Sequence, residues 1–180
     1  MTTILTTARL VLRPLETGDA DALVRGLNNL NVSKWTARIP YPYALADAHD
    51  FLAVCAKETP GMLRLAIIHD GALIGVISYE AARTGGAEIG YWIAEPLWGK
   101  GIGREAARAM ADHAFEAAGY DHLVASYNPG NEASRRILEG LGFVPVGEAM
   151  SYSKATGSEK PVVRMALSRE DWEEKKGRRR

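Results

Sequence analysis

The sequence predicts an α/β fold, a single domain with a mixed, mostly antiparallel sheet and helices on both faces. Two observations carry this prediction. Three consecutive strand patterns between residues 63 and 94 are separated by short glycine-containing turns, which is typical of an antiparallel meander. After them, residues 101–118 place apolar side chains every three or four positions, which predicts a helix packed on the sheet.

The N-terminal third supplies one strand and two helices. Residues 8–13 alternate apolar and basic side chains and precede Pro14, so they predict a strand that ends there. Thr17 or Asp19 can cap a following helix. Residues 31–60 are less regular, and a second helix is predicted near their end, where apolar residues recur at helical spacing.

The turns of the meander are visible in the sequence. Leu63–Ile68 and Leu73–Tyr79 flank the tripeptide 69–71, whose Asp-Gly pair favours a tight hairpin turn. The Gly-Gly pair at 85–86 forms a second turn, and Ala87–Ala94 is the third strand. The long helix then ends before Gly119, because glycine readily adopts the left-handed conformation at a helix end. Further patterns predict a strand at 122–127, a helix at 131–141 and strands at 143–152 and 162–167.

Composition excludes several classes of protein. With 180 residues and 47% apolar content, the chain suits one domain, placed at 8–168 and followed by a charged, solvated tail at 169–180. Lys plus Arg and Asp plus Glu both number 22, which argues against binding nucleic acid by phosphate neutralisation. No apolar run approaches the roughly 20 residues of a membrane-spanning helix. The first residues lack a signal-peptide pattern, so a cytoplasmic protein without a membrane partner is expected.

Cysteine and histidine usage argues against a metal centre. Cys55 is the only cysteine, and the 4 histidines are scattered along the chain, so no metal is expected. Cys55 also lies in an apolar helical pattern without a basic neighbour. We therefore interpret it as a small packed side chain rather than a nucleophile.

The segment between the meander and the long helix has the composition of a phosphate-binding site. Gly99, Gly101 and Gly103 allow a ligand to approach the backbone, and the first turn of a helix leaves N–H donors without partners. Lys100 and Arg104 add positive charge beside those donors. Together these features favour a pyrophosphate, although a flexible loop that only starts the helix would share the same residues.

Two other phosphate motifs fit less well. A P-loop requires Ser or Thr after the lysine, whereas Lys100 is followed by Gly101. Residues 101–106 match the dinucleotide fingerprint G-x-G-x-x-A, and Asp121 lies about 20 residues further on. However, the match begins past the middle of the chain, which leaves too little sequence for two βαβ halves, and Asp121 precedes its strand rather than ending it.

With this segment the sequence resembles the GNAT superfamily of N-acetyltransferases, whose signature Q/R-x-x-G-x-G/A opens the central helix. Trp98 stands where Gln or Arg is usual, and the resulting Trp-Gly-Lys-Gly form resembles the ribosomal-protein N-acetyltransferase branch. Three further pieces match that branch, at 9–13, at 88–93 and from 131–134 to 141–143, so four motifs lie in the expected order along the chain. The resemblance covers most of residues 8–168 and implies a single-domain GNAT fold.

The resemblance implies an enzyme that uses acetyl-CoA as co-substrate, with no metal, and transfers its acetyl group to a primary amine by direct attack. It also implies a set of cofactor contacts. These are the backbone of Trp92, Ile93 and Ala94, the loop residues Gly99, Lys100, Gly101, Ile102, Gly103 and Arg104, and the side chains of Asn131 and Ser134. Asn131 could equally be a helix N-cap, with Ser134 in the first turn of that helix.

Three catalytic candidates follow from the same resemblance. Glu88 matches a position assigned as general base, although a salt bridge with a nearby arginine would also explain it. Ser134 matches the residue that protonates the coenzyme A sulfur, and Tyr127 is a second possible acid. Amine attack requires a proton acceptor for the amine and a proton donor for the departing thiolate, which is why these residue types suit the chemistry.

The acceptor is harder to predict. Trp35, Tyr41 and Tyr43 lie in a proline-punctuated loop and are candidates for shaping its pocket, with loop packing as the alternative. The expected acceptor is a protein N-terminal α-amine. A small-molecule amine or amino acid, or a non-catalytic coenzyme A-binding module, are the alternatives. A homodimer is expected because dimers are common in the family that the sequence resembles.

Overall fold

A computed structural model describes residues 2–83 and 85–178, which form one sheet with helices on both faces. The strands are β1 Leu5–Thr6, β2 Leu10–Arg13, β3 Met62–His69, β4 Ala72–Ala81, β5 Ala87–Ile93, β6 His122–Tyr127, β7 Val144–Ser153 and β8 Ser158–Ser168. The α-helices are α1 Ala20–Leu27, α2 Leu30–Ser33, α3 Leu45–Cys55, α4 Ile102–Glu116, α5 Glu132–Leu141 and α6 Arg169–Gly177. Short 3₁₀ turns lie at Thr17–Asp19 and Glu95–Leu97.

The eight strands lie in the order β1-β2-β3-β4-β5-β6-β8-β7. Every neighbouring pair is antiparallel except β5 and β6, which are parallel. The predicted mixed, mostly antiparallel sheet is therefore confirmed. The parallel pair arises because α4 connects β5 to β6 as a crossover, which returns the chain in the same direction.

The parallel pair is joined only at its beginning. Ala87 lies opposite Leu123 and Glu88 opposite Val124, and no later residue of β5 pairs with β6 in the described part of the chain. Beyond that point β5 continues beside β4 as far as Ile93, while β6 continues beside β8 as far as Tyr127. The two strands therefore diverge and leave an opening in the middle of the sheet.

Two apolar clusters hold helices on opposite faces of the sheet. Alternate residues of the central strands, such as Ile77 and Ile89, pack against the buried side of α4, where Met110 and Phe115 are fully enclosed. The intervening residues face the other way, and Val76 and Trp92 pack against α1 and α3 in a second cluster. The predicted placement of helices on both faces is therefore confirmed.

Most predicted elements match the structure, and the N-terminal region shows the main differences. β1 and α2 are too short to leave a periodic pattern in the sequence. Asp19 precedes α1 as predicted, but its side chain does not cap that helix. Instead its two carboxylate oxygens accept hydrogen bonds of 2.8 and 2.9 Å from Arg13. Burial alone would raise the pKa of Asp19, but these bonds and the arginine charge outweigh it and the pKa is lowered.

The expected solvated tail is wrong for the described residues after 168, which form α6. Trp172 is buried, stacks on Phe115 with ring centroids 4.9 Å apart, and donates a hydrogen bond of 3.0 Å from Nε1 to Asp112. The abundance of charge in this segment concealed a single apolar anchor, which is sufficient to dock a short helix. Residues 179–180 lie outside the described part of the chain.

Candidate active site

A cavity of about 1240 Å³ occupies the opening between β5 and β6. One end is formed by the glycine-rich loop and the first turn of α4, and the other by the sheet face that carries Glu80 and Glu88. The first turn of α5, with Asn131 and Ser134, lines the middle. Residues that are distant in the sequence therefore converge on a continuous passage through the sheet.

The glycine-rich loop exposes backbone donors as its sequence predicts. Gly99 and Gly101 have φ of 74° and 77°, the left-handed region that glycine enters without strain, and Gly101 is the N-cap of α4. The first intrahelical bond of the helix runs from the Glu105 N–H to the Gly101 carbonyl. The N–H groups of residues 102–104 precede it and have no partner within the helix, so they can bind an anion such as a pyrophosphate.

The side chains of the glycine-rich loop and of the first turn of α4 do not all face the cavity. Ile102 is buried in the core, so only its backbone serves the site, and Gly103 lies against Ile137 of α5. Arg104 lines the cavity, and its guanidinium lies so close to Gly140 of α5 that a side chain there would displace it. Lys100 is exposed and its side chain lies outside the cavity lining. The cavity-facing cation of this loop is therefore Arg104.

An arginine from the N-terminal strand region braces this loop, a role that sequence reasoning missed. Arg9 donates from Nη1 to the Lys100 carbonyl at 2.9 Å and forms a salt bridge of 2.7 Å with Glu105. Glu105 also accepts bonds from the Arg9 N–H at 2.9 Å and from the Thr7 hydroxyl at 2.6 Å. The Lys100 carbonyl is thereby held by a cation, which leaves the N–H groups of the loop for a ligand. In the sequence, Arg9 belongs to a strand pattern and to the 9–13 match, and neither indicates a contact with the loop.

These contacts also set the charge of Glu105. Burial would raise the pKa of its carboxyl, but the hydrogen bonds from Thr7 and Arg9 and the arginine charge more than offset this, so the pKa is lowered. Glu105 therefore remains ionised at neutral pH. The salt bridge and hydrogen bonds by which Arg9 and Glu105 brace the loop form a clamp that stays intact.

The register of β5 corrects the predicted backbone contacts. The Ala94 N–H donates to the Ile74 carbonyl at 2.8 Å, so it faces β4 rather than the cavity. Because backbone groups alternate in an antiparallel ladder, those of Trp92 also face β4, while those of Tyr91 and Ile93 face the opening. The Ile93 carbonyl already accepts a bond of 2.7 Å from the Trp98 indole. The Ile93 N–H and the backbone of Tyr91 are the groups that a bound chain can pair with.

The first turn of α5 accommodates both interpretations of Asn131 and Ser134. Asn131 is the N-cap, and its Oδ1 accepts a bond of 3.2 Å from the Ser134 N–H. The Asn131 amide donor and the Ser134 hydroxyl are not used in this cap. Both residues line the cavity, so local structure and ligand contact are compatible.

The Ser134 hydroxyl has a partner that the sequence did not reveal. Its Oγ lies 3.2 Å from the hydroxyl oxygen of Tyr91 on β5. Burial raises the pKa of Tyr91 to about 12, the Ser134 hydrogen bond only partly opposing it, so the phenol is neutral at physiological pH. The candidate acid therefore has a protonated neighbour. Tyr127, the second candidate acid, ends β6 and lines the same cavity.

The opposite end of the cavity carries a small cluster of charges. Glu80 and Glu88 lie directly opposite each other on β4 and β5, and both point to the face away from α4. Arg38 forms a bidentate salt bridge with Glu80. In the described part of the chain, the Glu88 carboxylate makes no hydrogen bond and no ion pair within 4.0 Å. The nearby arginine therefore pairs with Glu80, and the alternative of a direct salt bridge for Glu88 does not hold.

Of the three aromatic residues predicted for the acceptor pocket, the structure places one on the cavity. Trp35 lines it. Tyr41 is exposed and lies outside the lining. Tyr43 is only 5% exposed and packs in the cluster under α1 and α3, where burial raises its pKa to about 12. The expected role of Tyr43 is therefore corrected to core packing. The loop sequence did not distinguish a buried from a pocket-facing tyrosine.

Other features of the described residues bear on the remaining predictions. Cys55 is half-buried on α3, and desolvation raises the pKa of its thiol, which disfavours a nucleophilic thiolate. Within 2–83 and 85–178, no three His, Cys, Asp or Glu side chains are grouped as they would be around a metal ion. None of the helices described there has the length and apolar content needed to cross a bilayer.

Known proteins with the same sequence features identify the family. The family described as Acetyltransferase (GNAT) domain matches residues 9–144. YdaF of Bacillus subtilis, whose provisional name is ribosomal N-acetyltransferase, is 35% identical over 114 residues, 61% of each chain. The ribosomal protein uS5-alanine N-acetyltransferase of Escherichia coli is 30% identical over 103 residues, 56% of this chain and 53% of that protein. The chain thus spans between half and two thirds of these two relatives.

A solved structure shows the same architecture. Mycobacterium smegmatis RimJ in complex with CoA-disulfide superimposes with a TM-score of 0.80, covering 94% of this chain and 87% of that one at 24% identity. At this identity the likeness establishes the fold, while the family match over residues 9–144 establishes descent. The chain belongs to the GNAT acetyltransferase family.

Proposed function

We propose that this protein transfers the acetyl group of acetyl-CoA to a primary amine, and that its acceptor is the N-terminal α-amine of a protein. The observation that carries the proposal is the continuous cavity between β5 and β6. It joins a phosphate-binding helix start at one end to the free carboxylate of Glu88 at the other. A long, thin molecule with phosphates at one end and a thioester at the other fits a passage of this kind.

The residues of the cavity fit acetyl-CoA in distinct ways. The backbone N–H groups of the α4 start and the Arg104 guanidinium suit the pyrophosphate. The Tyr91 backbone suits the amides of the pantetheine arm, since both present donors and acceptors in an extended strand. The Ile93 N–H suits the thioester oxygen, where negative charge develops as the amine attacks.

Two side chains handle the protons of the reaction. Glu88 accepts the proton that the amine loses on attack, directly or through a water molecule, and releases it to solvent. Ser134 gives its proton to the sulfur as the carbon–sulfur bond breaks and the sulfur keeps the bonding electrons. General base and acid steps of this kind each contribute about 10²- to 10⁴-fold to a rate.

The acceptor end of the cavity, which carries Glu80 and Glu88, is exposed to solvent, and this exposure favours an α-amine over a lysine side chain. An α-amine has a pKa near 8, so roughly a tenth of it is neutral at pH 7, whereas a lysine near 10.4 is almost wholly protonated. Glu88 is exposed, and the cavity around it is open to solvent, so the described residues do not form a desolvating pocket there that would depress a lysine pKa. The name of the uS5-alanine relative, which specifies acetylation of an alanine, agrees with this choice.

The test combines binding and turnover. Isothermal titration measures acetyl-CoA binding, and thiol release measures transfer to two peptides. Both peptides have the same sequence with one internal lysine, and they differ only in that one has a free N-terminus and the other a blocked N-terminus. We expect turnover with the first peptide only. Failure to bind acetyl-CoA would refute the proposal. Turnover only with small amines would show that the acceptor is a small-molecule amine and not a protein N-terminus.

Substitutions then test the assigned residues. Glu88→Gln and Ser134→Ala should each lower kcat by about 10²-fold while acetyl-CoA still binds. Glu159→Gln is the matched control, because Glu159 is an exposed carboxylate on β8 outside the cavity lining. Wild-type kcat in both site variants would show that other groups carry the protons. Binding without turnover across an N-terminal peptide panel would favour a coenzyme A-binding module.

A further inference from the structure

The contact between Tyr91 and Ser134 links two elements that the reaction requires to be in register. Tyr91 lies on β5, and its backbone faces the opening in the sheet. Its hydroxyl lies 3.2 Å from Ser134 Oγ, at the first turn of α5. A single side chain therefore contacts the candidate proton donor and belongs to the strand along which the thioester would lie.

The acidity and the surroundings of the two hydroxyls indicate which one donates. In the described part of the chain, the Tyr91 hydroxyl makes no other hydrogen bond, and the side chain is half-buried against the main core cluster at the edge of the cavity. Either hydroxyl can donate in this contact, and the phenol is the more acidic of the two, so the Tyr91 O–H is the favoured donor to Ser134 Oγ. Ser134 faces the cavity, and its own proton is then free to point into it.

We propose that Tyr91 is a positioning residue for acetyl transfer, which donates a hydrogen bond to Ser134 Oγ and so directs the serine proton toward the sulfur of coenzyme A. The inference rests on the proposed function and adds to it a residue that touches Ser134 rather than the reacting atoms. Without the phenol donor, the serine hydroxyl can rotate among several orientations, only one of which serves the sulfur.

Every proton and bond in this step is accounted for. The Ser134 O–H bond breaks as the S–H bond forms, and free coenzyme A leaves as a thiol. The charge that develops on Ser134 Oγ is stabilised by the Tyr91 O–H, which keeps its proton throughout. Ser134 recovers a proton from solvent, and Glu88 releases the amine proton to solvent, so no net proton is consumed. The net change is one amide and one thiol from one amine and one thioester.

The experiment compares Tyr91→Phe, Ser134→Ala and the double variant in steady-state acetyl transfer. Tyr91→Phe keeps the ring and removes the donor, so kcat should fall about fivefold to tenfold with the KM for acetyl-CoA unchanged. In the double variant, the second substitution should add no further loss beyond that of Ser134→Ala, because the phenol acts only through the serine. A purely structural role would instead give losses that multiply.

Tyr79→Phe provides the matched control. Tyr79 is a buried tyrosine of β4, and among the described residues its hydroxyl has a single contact, 3.4 Å from His113 Nδ1, outside the proposed chemistry. It should match Tyr91→Phe in thermal stability but keep wild-type kcat. If Tyr91→Phe does not fold, 3-fluorotyrosine at position 91 replaces it. This analogue is a stronger donor of similar size, so kcat should be unchanged or higher.

The outcomes separate this inference from the proposed function. Active wild-type protein combined with an unaltered kcat in Tyr91→Phe, or with multiplicative losses in the double variant, would overturn the positioning role alone. A fluorotyrosine variant that is several-fold slower than wild type would also overturn it. Wild-type protein that binds acetyl-CoA but acetylates no amine would refute the proposed function before Tyr91 is tested.

Discussion

Two arginine–glutamate pairs stand at opposite ends of the cavity, and they are built differently. In the pair at the cofactor end, Arg9 also bonds the Lys100 carbonyl and Glu105 also accepts from Thr7, so neither side chain can move alone. In the pair at the acceptor end, the side chain of Arg38 is 74% exposed, against 45% for Arg9. Arg38 has no further hydrogen bond among the described residues.

The difference matches what each end would bind under the proposed function. A pyrophosphate is the same in every turnover, so a rigid clamp that orients the loop loses nothing by being fixed. An acceptor amine arrives on a variable molecule, and a mobile arginine that neutralises Glu80 leaves Glu88 accessible beside it. The same type of ion pair therefore braces a loop at one end of the cavity and adjusts the local charge at the other.

The largest effect should come from distorting the cofactor loop itself. Gly101→Val forces a β-branched residue into φ 77°, at about 1–2 kcal/mol, and its branches would also meet the Arg9 guanidinium. We expect acetyl-CoA affinity to fall about thirtyfold, as strain and loss of the clamp combine. The control is Gly157→Val, at φ 63° in a turn with open space around it. If both variants bind acetyl-CoA equally well, the loop geometry is unimportant.

Removing the clamp should have a somewhat smaller effect. Arg9→Ala deletes the bonds to Glu105 and the Lys100 carbonyl, and charge-assisted bonds of this kind contribute enough to predict about tenfold weaker acetyl-CoA binding. Arg38→Ala removes an equivalent pair at the other end and should leave calorimetric affinity for acetyl-CoA unchanged. Similar affinity losses in the two variants would mean that the ends of the cavity do not differ as described.

The clamp should also respond to pH. The pKa of Glu105 is held below the ordinary value of about 4.3, so the clamp is fully formed above that pH and is lost as the pH falls through the depressed value. Acetyl-CoA affinity in wild-type protein should therefore fall by several-fold more than in Arg9→Ala as the pH is lowered from about 6 through the depressed pKa of Glu105. Parallel pH curves for the two proteins would exclude Glu105 as the titrating group.

The smallest effect concerns the acceptor end. The hydrogen bond from Arg38 lowers the pKa of Glu80 and outweighs burial, which acts in the opposite direction. The pair therefore stabilises the fold above about pH 4.3 and loses this contribution as the pH falls through the lowered pKa. Because the arginine is exposed, Arg38→Ala should cost under about 1 kcal/mol at pH 7. The difference in Tm from wild type should shrink in acid, and a constant difference would contradict the assignment.

Local patterns in the sequence were enough to predict the scaffold of the site. The Asp70-Gly71 turn, the apolar spacing of α4 and the Asn131 cap of α5 each depend on neighbouring residues, so their conformations could be inferred without tertiary information. The glycine-rich loop belongs to the same class. Its positive φ angles and free helix N–H groups follow from short-range geometry, and the resemblance then named the ligand.

Long-range packing decided the rest. Arg9 and Glu105 are 96 residues apart, and Tyr91 and Ser134 are 43 apart, so neither pair leaves a periodic signal in the sequence. The backbone groups of β5 that face the cavity depend on its register with β4, and the burial of Tyr43 and Trp172 depends on helices packed from elsewhere. By itself, the sequence determined the local conformations, including that of the glycine-rich loop. Only the tertiary structure decided which side chains meet, because contacts between distant segments are selected by the packing of the whole chain.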